Sequence, residues 1–340
     1  FSTSRSTSLV HVRADDLFHL SFFEQGCGLY LFSILAMSQI KFLQKIVLLL
    51  VICLVVDRLL IFLIDRKIEA NFDWRMEKAI EGDIDADILI IGSSRGARGI
   101  IASNISNSTG RPCFNFCYPG SNLIFHEFVL NTFLKFNHPP KTVILSIDDD
   151  FAFKESPWLS FRNNALYALT KYEYINEELI GQMENHPLSR YFNIARLRKI
   201  HLDFGAPALE DTDILWECGS MPIPFKNKNI IFGPRDTTAI TYNSSEENSW
   251  YLDAYHRILE KCAKLGMEVY VVLPPNYRPL NPAFLKRVQE VTPKSANIFV
   301  YNQEQKAYMD SNYFYDPSHL QQNGATLFTK ELSDYLKKRK

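Results

Sequence analysis

The sequence has no excess of charge of either sign: 37 Lys and Arg face 38 Asp and Glu, a formal net charge of −1. That balance gives no reason to expect a nucleic-acid partner. The single basic cluster, Lys337-Lys338-Arg339-Lys340, reads as a solvated helix end, where the helix dipole favours cations. Cysteine is scarce and unpatterned. The six, Cys27, Cys53, Cys113, Cys117, Cys218 and Cys262, show neither zinc-type paired spacing nor a dense disulfide framework. Cys113 and Cys117 fall on one face of an expected strand, too far apart to bridge easily. All read as buried apolar thiols, and no metal or other cofactor is expected. Cys27 follows Glu24-Gln25-Gly26, which lacks the apolar residue of a lipoprotein site. Residues 151–240 hold no repeat either.

What the chain does have is apolar residues. With 340 residues, 46% of them hydrophobic and 25 of them Phe, it has room for two average domains or one large α/β domain with an N-terminal appendage. Its longest apolar run, from Ile46 to Ile64, approaches the roughly 20 residues that cross a bilayer. Asp57 and Arg58 interrupt it, and charges near a membrane centre are costly. No A-x-A-like site follows Ile46–Val56, so a cleaved signal peptide is disfavoured. Lys41 and Lys45 flank the N-terminal side; Arg66 and Lys67 weaken the charge asymmetry on the other. The expectation is a single-pass signal anchor over residues 37–67, with the main domain outside the cytoplasm. Residues 1–36 begin at Phe1 and lack a coherent period, whereas Met37 is a natural start for an anchor. They are read as a leader outside the fold.

Beyond the anchor, Ile68–Asp85 is charged and reads as a juxtamembrane helix or linker. Ile88-Leu89-Ile90-Ile91 is a continuous apolar run, the pattern of a strand buried on both faces. Further strands are expected at Cys113–Cys117, Thr142–Ile147, Glu268–Leu273 and Ile298–Tyr301. Ser121 is placed to cap a helix running through Phe125, Val129 and Phe133 that His138-Pro139-Pro140 stops. Ser244-x-x-Glu247 matches a capping box before a helix that ends at Gly266, and Gly324–Leu336 makes a last amphipathic helix. Residues 151–240 read as an insertion over the sheet, helical around 164–200. Alternating strands and helices with apolar strands mean a parallel sheet covered on both faces, so residues 68–340 are expected to form an α/β domain.

Ligand sites in such sheets lie at the C-terminal strand ends. Ser93, Ser94, Gly120 and Asp148 all fall there. Ser94 follows a strand and opens a helix, where free N–H groups stabilise negative charge. A serine hydroxyl is a weak nucleophile until a base takes its proton. Asp316-Pro317-Ser318-His319 supplies an imidazole and a carboxylate at a spacing that suits one turn, with His319 as base and Asp316 as the group that orients it. The backbone N–H groups of Ser94 and Gly120 are the natural oxyanion donors.

These blocks resemble the SGNH/GDSL hydrolase superfamily over about residues 85–340, outside much of the insertion. Its first block reads Gly-Asp-Ser with the third residue as nucleophile, which points to Ser94 in Gly92-Ser93-Ser94 and leaves Ser93 as fallback. Its second block supplies an oxyanion glycine, matching Gly120, and its last is the D-x-x-H of Asp316 and His319. The resemblance implies a three-layer α/β/α flavodoxin-like fold. The third block departs: where the superfamily has Gly-Asn-Asp, this chain has Ser146-Ile147-Asp148-Asp149-Asp150. An ionised Asp148 cannot donate to an oxyanion. Either the hole uses backbone donors alone, or another side chain replaces the Asn, or activity is weak. Divergent membrane-anchored members, similar to the alginate O-acetylation and D-alanyl-lipoteichoic acid proteins, also combine an anchor with Gly-Ser-Ser-like first blocks. The resemblance thus implies a serine esterase or O-acyltransferase on acyl esters of cell-envelope polysaccharide or small esters, with partners in envelope biosynthesis.

The competing expectation is a decayed SGNH-fold scaffold or polysaccharide-binding protein, with Asp148 marking the lost oxyanion hole. A third is a cytoplasmic-facing protein whose apolar segment packs on a partner. Arg95 is placed either to bind an anionic substrate or to pack, and the Asp148-Asp149-Asp150 run reads as a strand-end turn or cap. Asn104, Asn107 and Asn243 match the glycosylation acceptor pattern, relevant only to a eukaryotic secretory protein.

Overall fold

Four consecutive apolar residues form the central strand β1 (Ile88–Ile91), all fully buried, in a computed structural model that describes residues 39–59, 73–197, 212, 214–227, 229–235 and 241–339. The leader at 1–36 and the 60–72 stretch after the apolar helix lie outside the described residues. Strands β2 (Cys113–Asn115), β3 (Thr142–Ser146), β4 (Glu268–Leu273) and β5 (Asn297–Val300) join β1 in parallel, in the order β2-β1-β3-β4-β5. The register sets Ile90 beside Asn115 and Ile144, and Ile144 beside Tyr270.

Side chains alternate across the pleat, so each strand feeds two cores. Leu89, Ile91, Val143, Leu145, Val269 and Val271 point into one. Helices α2 (Arg75–Ile80), α5 (Leu123–Phe136), α6 (Glu173–Gly181), α7 (Ser249–Lys264) and α8 (Pro282–Val291) contribute to it. Ile88, Ile90, Ile144, Tyr270 and Val272 enter the other, which α3 (Ser94–Gly99), α4 (Ala102–Thr109) and α9 (Gln322–Lys338) cover. The expected α/β domain with a parallel sheet is therefore observed.

Several local expectations are corrected. β2 stops at Asn115 because that side chain turns the chain: its Oδ1 accepts the Cys117 amide at 3.1 Å and its Nδ2 donates to the Gly96 and Ile100 carbonyls. Asn122, not Ser121, caps α5, accepting from the Phe125 amide at 3.0 Å. The capping box at Ser244 is a single 3-10 turn; Asn248 caps α7 instead, and Glu247 pairs with Arg287 at 2.8 Å. In the insertion, the described part of the expected helix around 164–200, up to residue 197, is α6 with short 3-10 turns on either side. Of the stretch expected as a juxtamembrane helix or linker, the described part from residue 73 onward forms helix α2 and packs into the core: Met76 and Ala79 are fully buried. Buried Arg75 pairs with Asp73 and donates to the Cys117 and Gly219 carbonyls at 2.7 and 2.9 Å, tying α2 to the loop after β2.

Helix α1 (Gln39–Leu59) is long and apolar enough to cross a membrane by length and composition. It starts earlier than the expected Ile46–Ile64 span, and its described part includes Asp57 and Arg58. Asp57 accepts the amides of Asn193 and Ile194 at 2.9 and 2.6 Å, so its carboxylate is satisfied by the folded domain.

Candidate active site

The loops after β1, β2 and β3 meet a two-stranded hairpin of β6 (Phe314–Asp316) and β7 (His319–Leu320). Gly92 ends β1 at φ +155°, and a Cβ there would lie 2.7 Å from that of Ser146. A side chain is thus excluded, and the chain turns tightly into α3. The first helical bond runs from the Ala97 amide to the Ser93 carbonyl at 2.9 Å, so the amide of Ser94, first residue of α3, remains outside the helical ladder.

The two terminal blocks come together across 225 positions of sequence: His319 Nε2 lies 2.8 Å from Ser94 Oγ, and His319 Nδ1 lies 2.7 Å from Asp316 Oδ2. Asp316 Oδ1 also accepts the amides of Ser318 and His319 at 2.7 and 2.9 Å. Burial works against ionisation of Asp316, but His319 and these amides outweigh it and hold the carboxyl below its ordinary range. The D-x-x-H segment is the tip of a β-hairpin, which locks both side chains to one backbone frame. A carboxylate that accepts from Nδ1–H leaves Nε2 as the acceptor for the serine proton.

Ser93 is separated from this chain of bonds. It is 1% exposed, and its hydroxyl donates to Asp148 Oδ2. Burial pushes the Asp148 carboxyl above its ordinary value, against the opposing pull of Arg95 and the Ser93 bond. Gly120 sits at φ +70°, and its amide meets no acceptor among the described residues. A Cβ on it would lie 2.6 Å from Arg162 Nη1, whose guanidinium donates to the Pro119 carbonyl at 2.7 Å.

Ser94, Gly120, Asp148 and His319 line one cleft of about 500 Å³. Its far wall comes from the insertion: Phe151, Trp158 and Arg162. Trp158 is 80% exposed. A second cavity of about 450 Å³ adjoins it, sharing Arg95, Asp148, Asp149, Phe151 and Ser318. Arg95 is buried between them, with Nη2 on the Pro274 carbonyl at 2.7 Å and Nη1 3.4 Å from Asp149. The acidic run is divided among tasks, since Asp149 Oδ1 caps the Phe151 amide while Asp148 takes Ser93. Among the described residues no group of three or more His, Cys, Asp or Glu is arranged to hold a metal.

Three supporting residues had no sequence signal. His126 reaches back from α5, its Nε2 2.9 Å from Ser121 Oγ, while Ser121 donates to the Tyr118 carbonyl at 2.6 Å. Burial lowers the His126 pKa to about 3, so it is a neutral brace for the Gly120 loop. Arg162 and Trp158 lie in the irregular insertion, where no periodicity marks a residue that folds back over the sheet.

A scan against protein-family models matches none of them, and a search of the curated proteins finds no match.

Proposed function

We propose that this protein is a membrane-anchored serine esterase or O-acyltransferase of the SGNH type. The observation that carries the reading is the unbroken series Asp316 Oδ2, His319, Ser94 Oγ at 2.7 and 2.8 Å. It is supported by the strand order β2-β1-β3-β4-β5, one of the two common doubly wound orders, and by the resemblance in Gly92-Ser93-Ser94, Gly120 and Asp316-Pro317-Ser318-His319. In the proposed reaction His319 takes the Ser94 proton as Oγ attacks an acyl carbonyl, and Asp316 steadies the imidazolium. The Ser94 and Gly120 amides receive the oxyanion. His319 then protonates the leaving alcohol, and water or a sugar hydroxyl takes the acyl group in a second half-reaction.

An acylated carbohydrate of the cell envelope suits the cleft, whose exposed Trp158 offers an aromatic face beside polar groups. Helix α1 suits a single-pass anchor, and the Lys41 and Lys45 flank favours an extracytoplasmic domain. Hydrolysis of p-nitrophenyl acetate by the full chain, abolished in Ser94→Ala, tests the reading. Asp148 at the third-block position favours one alternative, a decayed scaffold that binds polysaccharide without turnover. Labelling by a fluorophosphonate separates the two, because an activated Ser94 reacts and a decayed one does not.

A further inference from the structure

Helix α1 carries an apolar surface that the rest of the protein leaves almost uncovered. From Gln39 to Leu59 its residues are exposed, with Asp57 the single buried one among those described. Asp57 is buried because the insertion reaches it. Its carboxylate accepts the amides of Asn193 and Ile194, and Arg58 Nη2 donates to the Tyr191 carbonyl at 3.2 Å. These bonds hold residues 191–194 against α1, while Val55, Val56 and Leu59 around Asp57 stay open. The segment that makes the contact consists of two 3-10 turns, Pro187–Arg190 and Asn193–Arg196. Side chains three positions apart eclipse one another in such turns. Ser189 and Asn193 are buried, whereas Leu188, Tyr191 and Ile194 stand outward, 51%, 65% and 57% exposed. Single exposed apolar residues are ordinary on any protein surface. Three at a spacing of three, on a segment bonded to an uncovered apolar helix, form a surface that lacks its solvent.

We propose that Leu188, Tyr191 and Ile194 form a second membrane contact, dipping into the boundary between headgroups and acyl chains of the bilayer that α1 crosses. This contact presupposes the anchor reading above. Lipid that covers Val56 and Leu59 lies within a side chain's length of Ile194, whose amide is 2.6 Å from Asp57 on the same helix. One bilayer therefore covers both apolar surfaces. Backbone that approaches lipid must have its polar groups satisfied, and the amides from Tyr191 to Ala195 all have acceptors. The neighbouring cations are tied to the domain. Arg190 pairs with Glu177 at 2.7 Å, and Arg196 donates to the Ser189 and Thr170 carbonyls at 2.7 and 3.1 Å. Tyr191 is of the residue type enriched at membrane–water interfaces, with an apolar ring and a wet hydroxyl. Exposed Arg58 has a stem long enough to carry its charge toward lipid phosphates. Asp57 is then the strut between anchor and domain, its charge held by two amides. Helix α6, whose Ile175 and Leu179 lie in the core, joins this contact to the domain that carries the cleft. Two contacts, unlike one spanning helix, fix the height of the cleft above the lipid.

The test uses the full chain in phosphatidylcholine vesicles doped with a phosphatidylcholine that carries a diazirine on its acyl chain. After irradiation, mass spectrometry maps the lipid adducts, which are expected on α1 and also on the Leu188–Ile194 segment. A second measurement places a reporter in the patch. Ile194→Trp replaces a side chain that is more than half exposed, so the fold tolerates it. In vesicles of a phosphatidylcholine brominated high on its acyl chains, this variant should lose more emission than wild type, whose four Trp set the background. Both signals are required. With α1 labelled, the absence of adducts on residues 188–194, or quenching of Ile194→Trp no greater than that of wild type, overturns the second contact and leaves the anchor standing. No adducts on α1 overturn the anchor reading itself, and the second contact with it.

Discussion

Asp316→Asn isolates the electrostatic part of the site. Asp316 makes three bonds: Oδ2 to His319 Nδ1 at 2.7 Å and Oδ1 to the amides of Ser318 and His319 at 2.7 and 2.9 Å. The Asn oxygen retains the two backbone bonds, so the hairpin persists and the melting temperature shifts by only a few degrees. Its NH₂ group replaces Oδ2 and faces Nδ1. To avoid two donors in contact, the ring moves its proton to Nε2, the atom 2.8 Å from Ser94 Oγ. A protonated Nε2 cannot accept the serine proton. The expected loss in kcat is on the order of ten-thousandfold, as for other serine triads that lose this carboxylate, or about 5 kcal/mol at 1.36 kcal/mol per decade. Steady-state hydrolysis of p-nitrophenyl acetate measures it. A loss under tenfold with an unchanged melting curve refutes the assigned roles. A stability arm follows from the same bonds. The folded Asp316 pKa is depressed, so its contribution to stability is full above its unfolded value of about 4 and is lost as pH falls through the folded value. Asp316→Ala should therefore be less stable than wild type at neutral pH, and the gap should close in acid; urea midpoints at both pH values check the sign.

Ser94→Ala should abolish fluorophosphonate labelling, whereas Ser93→Ala, which removes only the hydroxyl on Asp148, should still be labelled; the reverse pattern would move the nucleophile to Ser93. Gly120→Ala puts a Cβ at φ +70° and 2.6 Å from Arg162 Nη1. It should cost about 1–2 kcal/mol in a denaturant titration and lower kcat by more than that destabilisation explains, since the Gly120 amide moves. Ile90→Ala empties a fully buried position on β1 and should cost about 2–5 kcal/mol, read as a lower urea midpoint. Asp57→Ala leaves the amides of Asn193 and Ile194 without their acceptor; faster hydrogen exchange at those two amides, with little change in the sheet, is the expected result.

The parts of the fold legible in the sequence are those governed by short-range periodicity. Ile88–Ile91 is apolar throughout, and so is Glu268–Leu273 after its exposed first residue, because both faces of the sheet are covered, and their boundaries match the observed strands. Caps were less legible, since several Ser and Asn residues compete for each helix start and side-chain geometry chooses among them. Asn122 over Ser121 and Asn248 over Ser244 are examples. Of the helix-or-linker reading of Ile68–Asp85, the helix is observed at Arg75–Ile80, but its burial was not legible, because charge does not show whether Arg75 will find Asp73 and two carbonyls to justify it.

The sequence alone determined which residue types could do chemistry here: a small-residue turn ending an apolar strand, a glycine after the second strand, and a carboxylate and imidazole three positions apart. Those are local facts, set by spacing and side-chain chemistry. Only the tertiary structure decided which serine meets the imidazole. Ser93 and Ser94 are neighbours, but the turn into α3 aims their hydroxyls differently, toward Asp148 and His319 respectively. It also decided what surrounds Asp148, because Arg95, Cys117, His126 and His319 come from four separate elements. Burial and charge pairing at such a meeting point depend on three-dimensional packing, which no one-dimensional pattern encodes.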